Sequence, residues 1–557
     1  MTTSVATRTE TVSCAEATLR TLVDVGAEVW FNLPGRGIYP LLNELPKVPS
    51  LRYVTAVHEF ALAAMADGYA RATGRVGHLS LYMSSGSLNA SSMLFLARRD
   101  RIPILVTATQ TESWAVGAGA RAESEDILGT MRGIVKWAAQ PPSPDRVAET
   151  LRRAYTIAAS PPMGPTFVAI PVDYWGREVS YEQWGPQAVA RAHGDAGLEL
   201  DGVVETLRAA ARPAVVVGAE AIAAGAAERI EVLARTIGAP VLAEPDGARI
   251  PLPTEHALFA GFVDDTHDPI SDADVILHVG VNSYSPEHRS IFSPSATHIW
   301  VGSDPGEANK VVLPAVQAIG DLRGIMEAIY DAAAGRASDT AESARLSEVT
   351  SRIQGRRQAW KDLFAPDWDA RPMCVARALS ELRLAVPDDV LVIDQSTTAT
   401  SQLRQFLPIR RTDGYLAASG SSQGWALGAA VGAGVGLDGR TVVAVTGDGG
   451  LMFGMQALWS LAQYQPPVLL VLLNNGGWNS MRNSVDRGAP AAKGMVDRNY
   501  GWSVDYCAMA GSMGIESRTI TEPGEFSEVL GAALPLSSPL LLDVRVRREA
   551  VGLQPGK

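Results

Sequence analysis

The sequence is short of the features that staple a chain or carry it across a membrane. Its three cysteines, Cys14, Cys374 and Cys507, are odd in number and far apart among 557 residues. They offer no disulfide framework and no zinc spacing, which fits a reducing compartment. The longest apolar runs, such as PPVLLVLL, are strand-length and too short to cross a bilayer. The opening MTTSVATRTETVSC lacks the basic start and apolar core of a secretory signal. Excess positive charge is missing as well. The net charge is −12, the opposite of the basic footprint of nucleic-acid binders. The expectation is a cytoplasmic protein with no membrane and no nucleic-acid partner.

What is present is a regular alternation of apolar strand-like runs and longer helical stretches, the pattern of α/β folds with parallel sheets. The length is too great for one core. Three α/β domains with doubly wound parallel sheets are expected, at residues 1–180, 196–335 and 365–557. EVWFNLP, GHLSLYM and IPILVTATQ mark the first; RPAVVVGAEA, APVLAEP and ADVILHVG the second; DVLVIDQS, TVVAVTGDGG and PPVLLVLLNN the third. GREVSYEQWGPQAVARAHGDAG reads as a linker, and DAAAGRASDTAESARLSEVTSR as a mobile helical or linker segment.

Chemistry concentrates in TVVAVTGDGG and PPVLLVLLNN. Ligands of open α/β sheets sit at the carboxyl ends of strands. Glycines there let backbone approach a phosphate, and the helix that follows, LMFGMQALWSLAQY, offers its N-terminus to an anion. An Asp among phosphate oxygens is repelled unless a cation lies between them. A hard divalent ion accepts carboxylate, amide and backbone carbonyl oxygens together with diphosphate. Asp448 and Asn475, 27 residues apart, stand at the ends of successive strands and can share such an ion. An Asp-Gly turn or a polar strand end is ordinary alone; the pair is not.

Gly447-Asp448-Gly449, 24 intervening residues and Asn474-Asn475 resemble the diphosphate-binding signature of the thiamine-diphosphate-dependent 2-oxo acid decarboxylase and carboligase family. The similarity runs along nearly the whole chain. It leans toward benzoylformate decarboxylase and more loosely toward acetolactate synthase, in the order pyrimidine, central and diphosphate domain. It implies thiamine diphosphate as cofactor and Mg²⁺ held by Asp448, Asn475 and the backbone carbonyl of Gly477. Gly447, Gly449, Gly450 and Trp478 fall at cofactor contacts.

Glu59, where LRYVTAV gives way to a helix, is by itself an acidic first-turn residue facing the helix dipole. The resemblance makes it the carboxylate that binds the aminopyrimidine and drives its imino tautomer. In the family these two ends of the cofactor are gripped by different subunits, so a homodimer or homotetramer with active sites at subunit interfaces is implied. Thr397 and Thr398 match hydroxyls that touch the diphosphate, or simply cap a helix. The carbonyl of Ser421 matches an acceptor for the pyrimidine amino group. Gln423 stands where the family has a large apolar wedge.

Two other motifs fail on context. GSSQG around Ser422 has the form of a hydrolase nucleophile, but the last histidine, His298, precedes it, the reverse of the α/β-hydrolase order. GVGLDG follows a helix and precedes a strand, inverted for a dinucleotide site. The central domain opens with PAVVVGAEAI, where nothing demands a nucleotide, and it reads as a scaffold.

Around the substrate the chain leaves the family pattern. Arg36 replaces a serine that contacts the substrate carboxylate, with which Arg can pair bidentately. Tyr82 replaces a catalytic histidine. An acid that titrates near neutral pH suits protonation of a carbanion-like centre, and tyrosine, near about 10, is a poorer one. His78 shares the strand face of Tyr82 but lies roughly 13 Å away. His288 is a loose match for a second histidine. Gln110 matches a strand end facing the site, and Trp478, Met481 and Val485 an apolar wall. The expected reaction is decarboxylation of a small-molecule 2-oxo acid, with release of an aldehyde or ligation to an aldehyde acceptor. The alternatives are an aldehyde or acyloin carboligase or lyase without decarboxylation, and a non-catalytic cofactor-binding subunit.

Overall fold

The computed structural model describes residues 9–121, 123–183, 200–265, 268–334, 340–420 and 422–549. In chain order the strands are β1 (Thr9–Ser13), β2 (Val29–Asn32), β3 (Arg52–Val54), β4 (Gly77–Tyr82), β5 (Ile104–Gln110), β6 (Trp137–Ala139), β7 (Thr166–Pro171), β8 (Glu178–Glu182), β9 (Pro213–Val217), β10 (Val241–Ala243), β11 (Phe259–Phe262), β12 (Val275–Val279), β13 (Thr297–Gly302), β14 (Val316–Ile319), β15 (Leu391–Gln395), β16 (Tyr415–Ala417), β17 (Val442–Gly447), β18 (Val468–Asn474), β19 (Glu516–Ile520) and β20 (Leu540–Arg545). Three six-stranded sheets take the orders β3-β2-β4-β5-β7-β6, β11-β10-β9-β12-β13-β14 and β16-β15-β17-β18-β20-β19. Their registers are parallel, the expected α/β class. A parallel sheet covered on both faces turns its strands into unbroken apolar runs. VLLVLLN in β18 and ILVTATQ in β5 are accordingly buried at every position.

By contact the chain forms two compact units. One comprises residues up to 190 with 420–439 and 453–468; the other comprises 191–419 with 440–452 and 469 onward.

In the first unit the Glu59–Thr73 helix packs on the Trp425–Gly436 helix. Both are rich in Ala and Gly, so their backbones meet. A Cβ on Gly68 would collide with the backbone of Ala429, and one on Gly432 with that of Met65. The pair is locked by a buried polar network. The Trp425 indole N–H donates to Asp67 at 2.6 Å, and Arg71 bonds both Asp67 at 2.6 Å and Asp100 at 2.7 Å. The segment GREVSYE, expected as linker, contains β8, which pairs antiparallel with β1, Val12 opposite Val179. Its alternation turns Val179 and Tyr181 inward, and the Tyr181 hydroxyl donates to Asp24 at 2.5 Å. Residues 184–197 of that expected linker lie outside the described residues.

In the second unit the other expected mobile segment, residues 331–352, runs from the end of the Leu322–Ala334 helix into the Thr340–Phe364 helix, with residues 335–339 outside the described residues. Ile353, Trp360 and Phe364 are buried, Glu342 pairs with Arg208 at 2.7 Å, and Arg357 donates to the carbonyls of Thr254 and His256 at 2.9 and 2.7 Å. The crevice at the carboxyl ends of β9 and β12, where the strand order reverses, holds the chain's own Glu244. That carboxylate accepts the backbone N–H groups of Ala219, Asn282 and Ser283 at 2.7, 2.9 and 3.2 Å. On β12 and β13, His278 Nε2 meets His298 Nδ1 at 3.0 Å, and His278 Nδ1 meets the Tyr284 hydroxyl at 3.1 Å. Phe292 and Trp300 close around them. Burial holds His278 well below the ordinary imidazole value and brings His298 down to about 4.

Two expectations follow. Gly432→Ala forces two helix backbones apart and should cost roughly 1–3 kcal/mol in urea unfolding. The buried histidines resist protonation in the folded state, whereas unfolded ones accept it near pH 6.5, on the order of the free imidazole value. The unfolded chain therefore binds protons first, and stability falls as pH drops from about 6.5 toward about 4. His298→Gln should flatten that decline in denaturation curves taken across this range.

Candidate functional site

The carboxyl ends of β15, β17 and β18, successive neighbours in their sheet, gather the candidate diphosphate residues. β17 ends at Gly447, and the next helix begins at Asp448 itself. That helix stops at Gly454, and a second spans Ala457–Tyr464, so the single helix expected from LMFGMQALWSLAQY is two. Asp448 is 1% exposed. Its Oδ2 accepts the Gly477 N–H at 2.7 Å. Burial pushes its carboxyl up to about 6, against the pull of surrounding backbone N–H groups led by that of Gly477. The Tyr506 hydroxyl donates to the Asp448 carbonyl at 3.2 Å and accepts the Trp502 indole N–H at 2.9 Å.

The two asparagines at the end of β18 divide their work. Asn474 is structural: its amide donates to Asp543 at 2.8 Å, and its oxygen accepts the Gly476 N–H at 3.1 Å. Asn475 carries a buried Oδ1 with no hydrogen-bond partner among the described residues, while Arg548 holds its backbone carbonyl at 3.1 Å. Gly477 has φ +145°, open only to glycine. Its carbonyl accepts the Asn479 N–H at 2.9 Å and keeps a second lone pair. A buried carboxylate, an orphaned amide oxygen and a carbonyl form the oxygen donor set that a hard divalent cation takes, so the residues fit the ion that the sequence implies.

The glycines here differ. A Cβ at Gly447 would meet open space, whereas at Gly449 it would collide with the Trp478 indole. Gly449 is thus required by its own neighbour. Gly450 follows on the same helix, half-buried. Trp478 stands edge-to-face with Trp502 at 5.1 Å and tilted against Tyr500 at 5.5 Å. The Asn479–Gly488 helix buries Asn479 and Arg482. Met481 is exposed and Val485 half-buried, so this helix turns a polar face inward. Thr397 and Thr398 follow β15 in a turn where Thr397 adopts φ +53°.

In the first unit, four candidates lie at or just beyond the carboxyl ends of the neighbouring strands β3, β2, β4 and β5. Glu59 opens its helix, capped by His58, whose ring Nδ1 accepts the Phe60 N–H at 3.1 Å. Asn89 donates to Glu59 Oε2 at 3.0 Å, and a Cβ on Gly86 would sit 3.1 Å from Oε1. Arg36 is exposed. Tyr82, last in β4, lies flat over Gly35, where any Cβ would strike its ring. The following Met83 takes φ +46°, an uncommon backbone for a non-glycine residue. Gln110 is buried, its Oε1 accepting the Thr111 N–H at 2.9 Å. Gln423 is half-buried just ahead of the Trp425–Gly436 helix. Ser421 lies outside the described residues.

The two spare histidines stand in different surroundings. His78 is buried, stacked on Tyr155 and brought down to about 3 by burial. His288 meets Asp264 at 3.2 Å through Nε2 and caps Ser285 through Nδ1. Sequence reasoning missed Tyr506, Trp502, Asp543 and Arg548, none of which belongs to a local motif.

Among the described residues no helix is long and apolar enough to cross a membrane. The N-terminal thiamine pyrophosphate-binding domain matches residues 12–130, the central domain of the same enzymes 200–329 and the C-terminal thiamine pyrophosphate-binding domain 396–544. Benzoylformate decarboxylase of Pseudomonas aeruginosa is 28% identical over 530 residues, 93% of this chain and 96% of that protein. The large subunit of acetolactate synthase isozyme 3 of Escherichia coli is 27% identical over 549 residues, 94% of this chain and 92% of that protein. The structure of a thiamine diphosphate-dependent 4-hydroxybenzoylformate decarboxylase from Rhodococcus jostii superposes with a TM-score of 0.82 at 25% identity, covering 97% of this chain and 100% of that one. Matched in order by all three of its domains, the chain belongs to the thiamine pyrophosphate enzyme family.

Proposed function

We propose that the protein is a thiamine-diphosphate- and Mg²⁺-dependent enzyme that decarboxylates a 2-oxo acid and releases an aldehyde or joins the fragment to a second carbonyl. The observation that carries this reading is the strand-end clamp: Asp448 buried against the Gly477 N–H, beside the unpartnered Asn475 Oδ1. Asp448, Asn475 and the Gly477 carbonyl would hold Mg²⁺, whose charge would balance that of the diphosphate. Thr397 and Thr398 would help bind the diphosphate, and Ser421 and Gln423 are the candidates for the pyrimidine end. When bound, the cofactor supplies an electron sink for the bond that breaks next to the carbonyl.

The remaining steps belong to the chain. Glu59 holds a proton at the pyrimidine ring nitrogen, and Asn89 fixes its Oε2. Arg36, exposed at the rim, pairs with the substrate carboxylate. Tyr82, its ring seated on Gly35, is the proton donor nearest the replaced histidine, and Gln110 lies one strand further along the rim. A homodimer or homotetramer with shared active sites, in the cytoplasm, is part of the same proposal, with the central domain as scaffold.

Between release of the aldehyde and joining of the fragment to a second carbonyl, the tyrosine at position 82 favours joining. A weaker acid slows protonation and leaves time for an acceptor. The similarity to an acetolactate synthase points the same way. The second reading is an aldehyde or acyloin carboligase or lyase that does not decarboxylate.

Asp448→Ala should weaken Mg²⁺-dependent binding of thiamine diphosphate by more than about 100-fold, beyond the usual loss from an outer-shell change, as read by calorimetry. Binding undiminished by this substitution would remove the clamp. Glu59→Gln should lower turnover by on the order of 10²–10⁴-fold, with product mass spectra recorded over a panel of 2-oxo acids and aldehydes. If the unmodified protein exceeds this variant on no substrate, the enzyme reading is lost to that of a cofactor-binding subunit.

A further inference from the structure

The Thr397 turn stands on a buried polar network that the cofactor reading does not use. Asp394, the fourth residue of β15, sends Oδ1 to the Ser396 N–H at 2.8 Å and to the Ser396 hydroxyl at 2.6 Å. The Thr400 hydroxyl reaches the same oxygen at 3.4 Å. Oδ2 accepts the Tyr415 hydroxyl at 2.9 Å. The chain of contacts continues away from the turn. Arg404 Nε donates to the Tyr415 oxygen at 3.2 Å, its guanidinium lies 3.5 Å over the Phe262 ring, and it pairs with Asp265 at 3.4 Å. Ser401 donates to the same Asp265. Asp394 is 3% exposed, Asp265 1%, Arg404 6% and Tyr415 0%.

Directly above this network, Thr397 holds φ +53°. Left-handed backbone is a genuine outlier for a β-branched residue, and it persists only where surrounding contacts over-determine it. The residue before Thr397 is pinned through both its N–H and its hydroxyl, and Thr400, three residues after it, is tied to the same carboxylate oxygen. The strain and its restraint therefore share one buried carboxylate.

We infer that Asp394 is a positioning residue that, by pinning Ser396, holds the Ser396–Thr398 turn with Thr397 in the left-handed conformation from which Thr397 and Thr398 meet a diphosphate. The inference rests on the proposed role of those two threonines. Asp394 itself touches neither cofactor nor substrate; it acts through Ser396. Tyr415 and Arg404 orient Asp394 from below and tie it to the central domain through Asp265.

The test is a double-substitution cycle read by calorimetric binding of thiamine diphosphate with Mg²⁺, alongside thermal melts without cofactor. Asp394→Asn should weaken binding by about tenfold or more. Glycine adopts left-handed backbone without strain, so in a Thr397→Gly background the same Asp394→Asn change should cost much less. Equal binding by Asp394→Asn and the unmodified protein overturns the inference. So does an equal loss in both backgrounds, which marks general destabilisation. If Asp394→Asn does not fold, Tyr415→Phe removes one bond to Asp394 and should weaken binding in the same direction by a smaller factor; unchanged binding there counts against the inference. Failure of the unmodified protein to bind the cofactor overturns the proposed function itself, whereas normal binding with no coupling between Asp394 and Thr397 overturns the positioning role alone.

Discussion

A carboxylate buried at the rim of a parallel sheet has to be met by donors or by a cation, and Asp448 is such a carboxylate. Much of its neighbourhood follows from that requirement. Gly477 is glycine because its N–H must reach Asp448 from a backbone conformation closed to other residues. Asn474 is tied to Asp543, which turns that side chain away and leaves Asn475 to carry the buried oxygen at the end of β18. Tyr506 supports the Asp448 carbonyl, and Trp502 supports Tyr506. Parallel pairing makes the arrangement possible, since it sends the ends of β15, β17 and β18 to one edge.

The fold class was legible because strands covered on both faces become continuous apolar runs, and β5 and β18 are such runs. Asp448 and Asn475 were legible from the spacing between two of them. What escaped has physical reasons. Asn474 and Asn475 look alike as letters, and only the sheet decides which one faces Asp543. Tyr506 and Asp543 come to Asp448 and Asn474 through pairing of distant segments, with no local pattern to announce them. GREVSYE looked like a linker because an edge strand with one exposed face is half polar; its partner, β1, lies at the far end of the domain. The polar Thr340–Phe364 helix looked mobile because its buried residues are few and widely spaced. His288 was a loose match by sequence; in the structure its Nδ1 accepts the Ser285 N–H and its Nε2 meets Asp264, a partner no local pattern announces.

Positions on the rim of the first sheet are coupled through one glycine. Tyr82 occupies space that only a glycine at position 35 leaves open, and Arg36 follows that glycine directly. Met83, held in left-handed backbone with its N–H donating to the Thr109 hydroxyl at 3.2 Å, fixes the turn that presents the tyrosine.

The seating of Trp478 on Gly449 has an optical consequence. Its indole lies against the helix that begins with Asp448, and a second indole, Trp502, stands perpendicular to it at 5.1 Å. Indole emission responds to nearby charge, so the electrostatic state of the clamp is written into the protein's own fluorescence. The fold has placed a reporter beside the site without any label.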